Sequence, residues 1–324
     1  MVTVPEEAPG SSDLRDRIAG TLLGLAAGDA LGAGYEFEVP PRRGAAAMIG
    51  GGLGGWAPGE WTDDTQLAVC VARVAAAGEL RPDAVGDAFC DWYRSGPADV
   101  GIQTRAVLDG ASGGADLPAR AVGYVAAHPD RSAGNGSLMR TAPVALAHLG
   151  DDAALAGSAR LVSALTHADP LAQDACVLWC VAIDRAIRQG RLDGVSEGLA
   201  LLPDDRASAW RERIVAAAEA PPRSFTPNGY VVTAFQAALA AIWQTPVPPS
   251  DPAGHLREAL QTAVAVGDDT DTVAAIAGAL LGARWGATAV PGHWRDLLHG
   301  WPGYRAGDLE RLALRAARAA RAAE

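Results

Sequence analysis

An all-α fold, one compact multi-helix bundle, is what three features of this chain predict. Alanine-rich amphipathic segments recur from one end to the other, with apolar residues three and four apart. Alternating β-branched runs, the mark of half-buried strands, are nearly absent. Clusters of turn-forming residues, "PPRRG", "PDRSAGNG", "EAPPRSFTPNG" and "TPVPPSDPAG", separate the segments, and none is a clean linker that would split the chain in two. With 49% hydrophobic residues the 324-residue chain can bury a large core.

Residues 1–12 carry acids and prolines without apolar periodicity and are expected to form a disordered tail ahead of one domain over 13–324. The stretch "DLRDRIAGTLLGLAAGDALGAG" then reads as a helix that Ser12 or Asp13 can cap, with Ile18, Leu22, Leu25 and Ala26 on one face. Gly20, Gly24 and Gly28, four apart, make a small-residue stripe of the kind that lets helices approach closely. Further helices are expected near 62–78, 83–95, 101–109, 118–127, 138–149, 152–165, 170–189, 208–219, 229–244, 253–265, 270–285 and 305–323. Arg311, Arg315, Arg318 and Arg321 run along one side of the last of these, as a solvated basic face would.

A formal charge of -11 argues against a broad nucleic-acid or anionic-membrane surface. Cys70, Cys90, Cys176 and Cys180 form no CxxC pair, and the last two lie one helical turn apart in the apolar "ACVLWCVAI", where they read as small core residues. Nothing suggests a disulfide framework. The N-terminus lacks a basic stretch followed by an apolar one, and no apolar run reaches about 18 residues. A soluble, cytoplasmic, monomeric protein is the expectation.

Chemistry concentrates in two acidic stretches, "GEWTDDTQLAV" and "VGDDTDTVAAIAGALLG", each at the mouth of an apolar helix. Thr62 is a plausible cap, and Asp63 and Asp64 would favour the helix dipole. Capping needs one acceptor, however, and the second stretch has carboxylates at 268, 269 and 271 with threonines at 270 and 272. Adjacent carboxylates repel unless a cation lies between them. Oxygen-only donors suit a hard cation, magnesium or manganese, better than zinc, and two clusters could hold two ions. Two-metal sites activate water or clamp substrate oxygens in hydrolysis. Glu36 follows the glycine-rich exit "GDALGAGYEFE", flanked by Tyr35 and Phe37. In "SAGNGSLMRTAPVAL", Gly134 to Ser137 precede a helix expected to start near Leu138, an entrance suited to a diphosphate. "GGGLGG" at 50–55 matches GxGxxG by letter but has no strand before it, and there is no GxxxxGK[ST] or HExxH.

These motifs, in this order through nearly the whole chain, resemble the ADP-ribosylglycohydrolase family, which includes the dinitrogenase-reductase-activating glycohydrolase and the vertebrate ADP-ribosylarginine and ADP-ribosylserine hydrolases. The resemblance implies an all-helical domain with a binuclear centre of two Mg2+ or Mn2+ ions. Matched motif to motif, it implies Thr62, Asp63, Asp64, Asp269, Asp271 and Thr272 as metal ligands, with Glu36 beside them; Asp268 stands where many relatives have glycine and is not carried over. It implies that Asn135, Gly136, Ser137 and Met139 wrap the ADP-ribose diphosphate and sugars, that His167 lies near the adenosine-side ribose, and that Gly229 and Tyr230 lie near the adenine. "GPADVGIQTRAVL" resembles a stretch of the arginine-directed bacterial branch, which puts Asp99 on the guanidinium side. The function so implied is removal of ADP-ribose from a modified protein, arginine favoured, with Glu36, Asp63 or Asp99 as the acid or base. A serine-linked or small-molecule conjugate remains the alternative substrate, and a non-catalytic ADP-ribose-binding relative the alternative class.

Overall fold

The computed structural model describes residues 11–322; the expected tail, apart from Ser11 and Ser12, lies outside them. Fourteen α-helices are described: α1 (Ser11–Gly32), α2 (Asp63–Ala75), α3 (Pro82–Arg94), α4 (Ile102–Leu108), α5 (Leu117–Ala127), α6 (Ala142–Ala147), α7 (Asp152–Ala164), α8 (Pro170–Gln189), α9 (Asp204–Glu219), α10 (Val231–Gln244), α11 (His255–Val264), α12 (Thr270–Trp285), α13 (Gly292–Leu297) and α14 (Ala306–Ala322). The strands among the described residues are two, β1 (His299–Gly300) and β2 (Tyr304–Arg305), paired antiparallel. The all-α expectation holds.

The glycine stripe organises the architecture. α1 and α12 run antiparallel with their backbones in contact: Gly20 meets Gly282, Gly24 meets Gly278, Gly28 meets Ala274 and Gly32 meets Asp271. A Cβ on Gly24 or Gly28 would fall on the carbonyl oxygen of Gly278 or Ala274. Hence only hydrogen fits at these crossings. The consequence is positional, because the antiparallel register sets the C-terminal end of α1 against the N-terminal end of α12.

Around this pair the core is closed by α8, whose residues from Ala175 to Ile183 are all buried. Trp179 packs edge-on against Phe235 (5.1 Å between ring centroids), and Trp210 does so from the other side (5.0 Å). Trp179 Nε1 donates to Ile276 O at 3.1 Å, tying α8 to α12. Cys176 and Cys180 sit in this core, and all four cysteines are free and buried, as expected from their apolar surroundings.

Three differences from the sequence reading have local causes. The helix expected over 138–149 is only α6; residues 136–140 are turns, and Pro143, which cannot donate, sits in the first turn of the helix that follows. α9 begins at Asp204 rather than 208, since Asp204 and Asp205 favour a helix N-terminus. The 3-10 helix Gly194–Leu201 and α13 are too short for a periodic signal. The former contains "GVSEG", a GxSxG by letter, but no strand leads into it.

Candidate metal centre and substrate pocket

The end of α1 delivers one carboxylate and the starts of α2 and α12 deliver the rest. After Gly32 the chain makes a 3-10 turn, Ala33–Tyr35, and places Glu36 at the N-terminus of α12. Thr270 Oγ1 donates to Gly32 O (2.9 Å) and Phe37 N donates to Asp268 O (2.7 Å), which clamps this junction. Both Phe37 (φ 53°) and Asp268 (φ 58°) hold left-handed backbone, an expense concentrated beside the carboxylates. At α2, Thr62 caps the helix by accepting from Asp64 N, and Asp63 and Asp64 occupy the first turn. Thr272 Oγ1 donates to Asp64 Oδ2 (3.4 Å), joining the two acidic stretches across 208 residues of chain.

Carboxylate oxygens of Glu36, Asp269 and Asp271 lie within 4.8 Å of one another, and all three residues are buried. At that spacing each charged pair repels by roughly 3 to 4 kcal/mol at an effective dielectric of about 20. Three oxygens of the cluster, Glu36 Oε2, Asp64 Oδ1 and Asp271 Oδ1, are sealed from solvent and have no hydrogen-bond partner. Orphaned acceptors with converging like charge are what a hard cation satisfies, so the donor set fits magnesium or manganese. Burial, and after it the charges of Asp269, Asp99, Asp63 and Asp29, pushes Glu36 up to about 8. Asp63 is likewise pushed up to about 8, by burial and then by Asp99, Asp29 and Asp269. Asp64 and Asp271 are held well above the ordinary carboxylate range, mainly by burial, and Asp269 is raised too.

These shifts predict a pH dependence of the cation-free protein. The folded values of Glu36 and Asp63, about 8, exceed the unfolded values of about 4, so the folded state holds the extra protons between them. Their contribution to stability is complete below about pH 4 and is lost as pH rises through about 8. Melting in chelator should therefore occur at lower temperature at pH 8.5 than at pH 5.5, and Mn2+ should restore it at pH 8.5. A chelated protein as stable at pH 8.5 as at pH 5.5, or one whose loss at pH 8.5 Mn2+ does not restore, would contradict the crowding.

Asp99, half-buried at the end of the loop before α4, is close enough for its charge to act on both Glu36 and Asp63. The Gly101 amide donates to Asp63 from the same loop. The structure thus brings Thr62, Asp63, Asp64, Asp99, Glu36, Asp269, Asp271 and Thr272 to one place.

Two supporting residues escaped the sequence reading. Asp29, fully buried on α1, accepts from Thr62 N (3.0 Å), Thr65 N (3.0 Å) and Thr65 Oγ1 (2.6 Å), and so holds the start of α2 in place. Its signal was available: Asp29 lies on the same helical face as Leu22, Leu25 and Ala26, a charge on an apolar stripe. Asn228, also fully buried, accepts from Asp269 N through Oδ1 (2.9 Å) and donates through Nδ2 to Gly267 O (3.1 Å). No local pattern marks it, because its partners lie about 40 residues away. Asn228→Ala should weaken divalent-cation binding by about 10- to 100-fold, the usual cost of losing a group that orients a ligand. Unchanged Mn2+ affinity in a folded variant would remove Asn228 from this role.

The pocket turn follows the metal centre outward. Asn135 Nδ2 donates to Asp269 Oδ2 (2.8 Å) and to Asn228 O (3.0 Å), and Met139 Sδ accepts from Thr272 Oγ1 (3.8 Å). The expected helix entrance at Leu138 is not formed. Instead Asn135 O accepts from Leu138 N and Met139 N in a turn, and Asn135 N donates to Gly229 O (3.1 Å). Among the described residues the amides of Gly136 and Ser137 have no such acceptor. The Ser137 hydroxyl faces inward, accepting from Ser163 Oγ (2.9 Å) and Cys176 Sγ (3.5 Å). Gly229 is exposed, and Tyr230, 40% exposed, bridges Gly134 through its backbone. His167 is buried beneath Gly134 and Gly136.

With this geometry in place, the ADP-ribosylglycohydrolase family model matches residues 10–324. The chain belongs to the ADP-ribosylglycohydrolase family. It is 33% identical over 290 residues to the ADP-ribosylarginine hydrolase Tri1 of Pseudomonas putida, covering 86% of this chain and 73% of that one. It is 30% identical over 296 residues to the ADP-ribosyl-[dinitrogen reductase] glycohydrolase of Rhodospirillum rubrum, covering 88% of this chain and 91% of that one. A solved ADP-ribosylglycohydrolase-related protein complex superimposes with a TM-score of 0.71 at 30% identity, over 95% of this chain and 99% of that one. This ADP-ribosylglycohydrolase is therefore a hydrolase of ADP-ribosyl bonds, and its buried acidic group can hold metal. No described helix is long and apolar enough to cross a membrane.

Proposed function

We propose that this ADP-ribosylglycohydrolase removes ADP-ribose from arginine side chains of a modified protein, using two divalent cations, magnesium or manganese. The observation that carries the cation requirement is the set of three sealed, unpartnered oxygens on Glu36, Asp64 and Asp271. Thr62, Asp63 and Asp64 from α2, and Asp269, Asp271 and Thr272 from α12, would hold the ions with Glu36 beside them. Bound there, the cations would lower the pKa of water and grip ribose hydroxyls.

The chain's own residues supply the proton traffic. Water attacks the anomeric carbon, the carbon–nitrogen bond breaks, and one proton leaves the water while another reaches the departing guanidine nitrogen. Glu36, Asp63 and Asp99 are the carboxylates to which this reading gives the taking and giving of those protons. Asp99, the half-buried one of the three, offers a reachable negative charge to a cationic guanidinium. Arginine linkage is supported by the P. putida relative, an ADP-ribosylarginine hydrolase by name, and removal from a protein by the R. rubrum relative, whose name gives dinitrogen reductase as the modified partner. The glycine turn at 134–136, with Ser137, Met139, His167, Gly229 and Tyr230 around it, would take the ADP-ribose moiety. The four free, buried cysteines fit a reducing compartment, and we place the protein in the cytoplasm, with 13–324 as one domain.

The test is release of ADP-ribose from arginine-ADP-ribosylated and serine-ADP-ribosylated protein, with Mg2+, with Mn2+ and with chelator. Metal-dependent release from the arginine-linked substrate is expected. Release from the serine-linked substrate alone would overturn the arginine assignment, and release that survives chelation would overturn the cation centre.

A further inference from the structure

Under the glycine turn runs a buried polar chain that the metal centre does not use. Arg140, without any solvent exposure, lies with its guanidinium 4.3 Å from the centroid of the Phe89 ring and donates from Nη2 to Thr166 Oγ1 (2.7 Å). A guanidinium only donates, so the Thr166 oxygen is the acceptor. Thr166 Oγ1 is also 2.8 Å from His167 Nδ1. Were Nδ1 protonated, the threonine hydroxyl hydrogen would have no acceptor among the described residues. Nδ1 therefore accepts from the hydroxyl, and the imidazole proton sits on Nε2. Burial, and then the charge of Arg140, holds His167 well below the usual imidazole range, so the ring is neutral.

His167 Nε2 is thereby a fixed donor, and it faces the turn: a Cβ on Gly136 would stand 3.2 Å from it and one on Gly134 3.3 Å. The same turn faces Gln103. Gln103 Nε2 donates to Thr166 O (3.0 Å), which identifies Oε1 as the other end of the amide. That oxygen is buried without a partner and lies 3.5 Å from the Cβ position of Gly134. Thr166 thus holds both neighbours, one through its carbonyl and one through its hydroxyl. An acceptor and a donor beside one turn match an alcohol, which gives one hydrogen and receives one. A phosphate or carboxylate, with acceptors only, would leave Gln103 Oε1 unmet, and an ammonium would leave His167 Nε2 unmet.

We propose that Gln103 is a further substrate-binding residue, paired with His167 to grip one sugar hydroxyl, and that Thr166 and Arg140 are positioning residues that set the pair's polarity. This rests on ADP-ribose as the moiety in the pocket. The experiment measures ADP-ribose binding to the Mg2+-loaded protein by calorimetry, beside analogues that each lack one ribose hydroxyl. Gln103→Leu and Thr166→Val should each weaken ADP-ribose binding about tenfold, the usual worth of one such bond. Both should lose the wild type's preference over one deoxy analogue, and Thr166→Ser should restore it. In parallel, nitrogen-15 NMR of the imidazole should show the proton on Nε2 in the wild type and in Thr166→Ser but not in Thr166→Val. Wild-type affinity and preference in a folded Gln103→Leu, or the proton on Nδ1 in the wild type, would overturn the proposal. A wild type that binds no ADP-ribose would sink the reading of the pocket, and Gln103's assignment with it, while the NMR arm still decides the polarity of the chain.

Discussion

Asp271→Asn is expected to abolish useful turnover and yet to raise the melting temperature of the cation-free protein. The carboxylate it removes is buried, has a sealed, unpartnered oxygen, and is held well above its ordinary pKa by burial and by Glu36, Asp64 and Asp269. Losing a group that merely orients a metal ligand costs about 10- to 100-fold, so loss of a ligand should cost more than about 100-fold in rate. In chelator the same change relieves like-charge crowding. A gain of about 2 kcal/mol at pH 8.5, roughly 4 °C in a chain of this size, follows from the pair repulsion after allowance for solvent and relaxation. Opposite movements of activity and stability mark a functional strain rather than a structural ion pair. Calorimetric melting with and without chelator, beside steady-state turnover, reads both. A variant less stable than wild type in chelator would mean that Asp271 is held by structural partners.

Gly28→Val is expected to be the most damaging single change outside the carboxylates themselves. Its Cβ would overlap the backbone of Ala274, and backbone on both sides leaves no flexible side chain to move aside. Overpacking of this kind costs about 3 kcal/mol or more. Because the chain leaving α1 carries Glu36, and the start of α12 carries Asp269 and Asp271, a forced separation also opens the cluster. The expected result is a fall in melting temperature of at least roughly 6 °C together with weaker Mn2+ binding. Gly123→Ala, on α5 with open space around the Cβ position, is the control that should leave Mn2+ binding unchanged and the melting temperature equal or slightly higher. Stability lost with full Mn2+ affinity would show that the helix contact does not position the centre.

What the sequence made legible was whatever is periodic or crowded locally. The longer helices, the stripe at Gly20, Gly24 and Gly28, and the carboxylate runs are written in neighbouring residues, and the structure places them as their spacing suggests. The groups that escaped act across the chain. Asn228 serves Asp269, Asp29 serves Thr62 and Thr65, and Gln103 leans on Thr166, each pair 33 or more positions apart. The apolar spacing of "SLMRTAPVAL" predicts a helix from Leu138, where the structure has a turn. Burial of Arg140 and the proline at 143 decide otherwise. The Ser137 hydroxyl joins Ser163, an orientation that no linear pattern records.

The most direct test of the central claim is a titration of Mn2+ into chelator-treated protein at pH 8, followed by calorimetry and electron paramagnetic resonance. Two ions bound per chain, magnetically coupled because Thr272 and Asp64 tie the two acidic stretches together, is the result this account predicts. Absence of saturable binding, with the protein folded, would contradict it and leave the buried carboxylates of Glu36, Asp64 and Asp271 without a reason to be there.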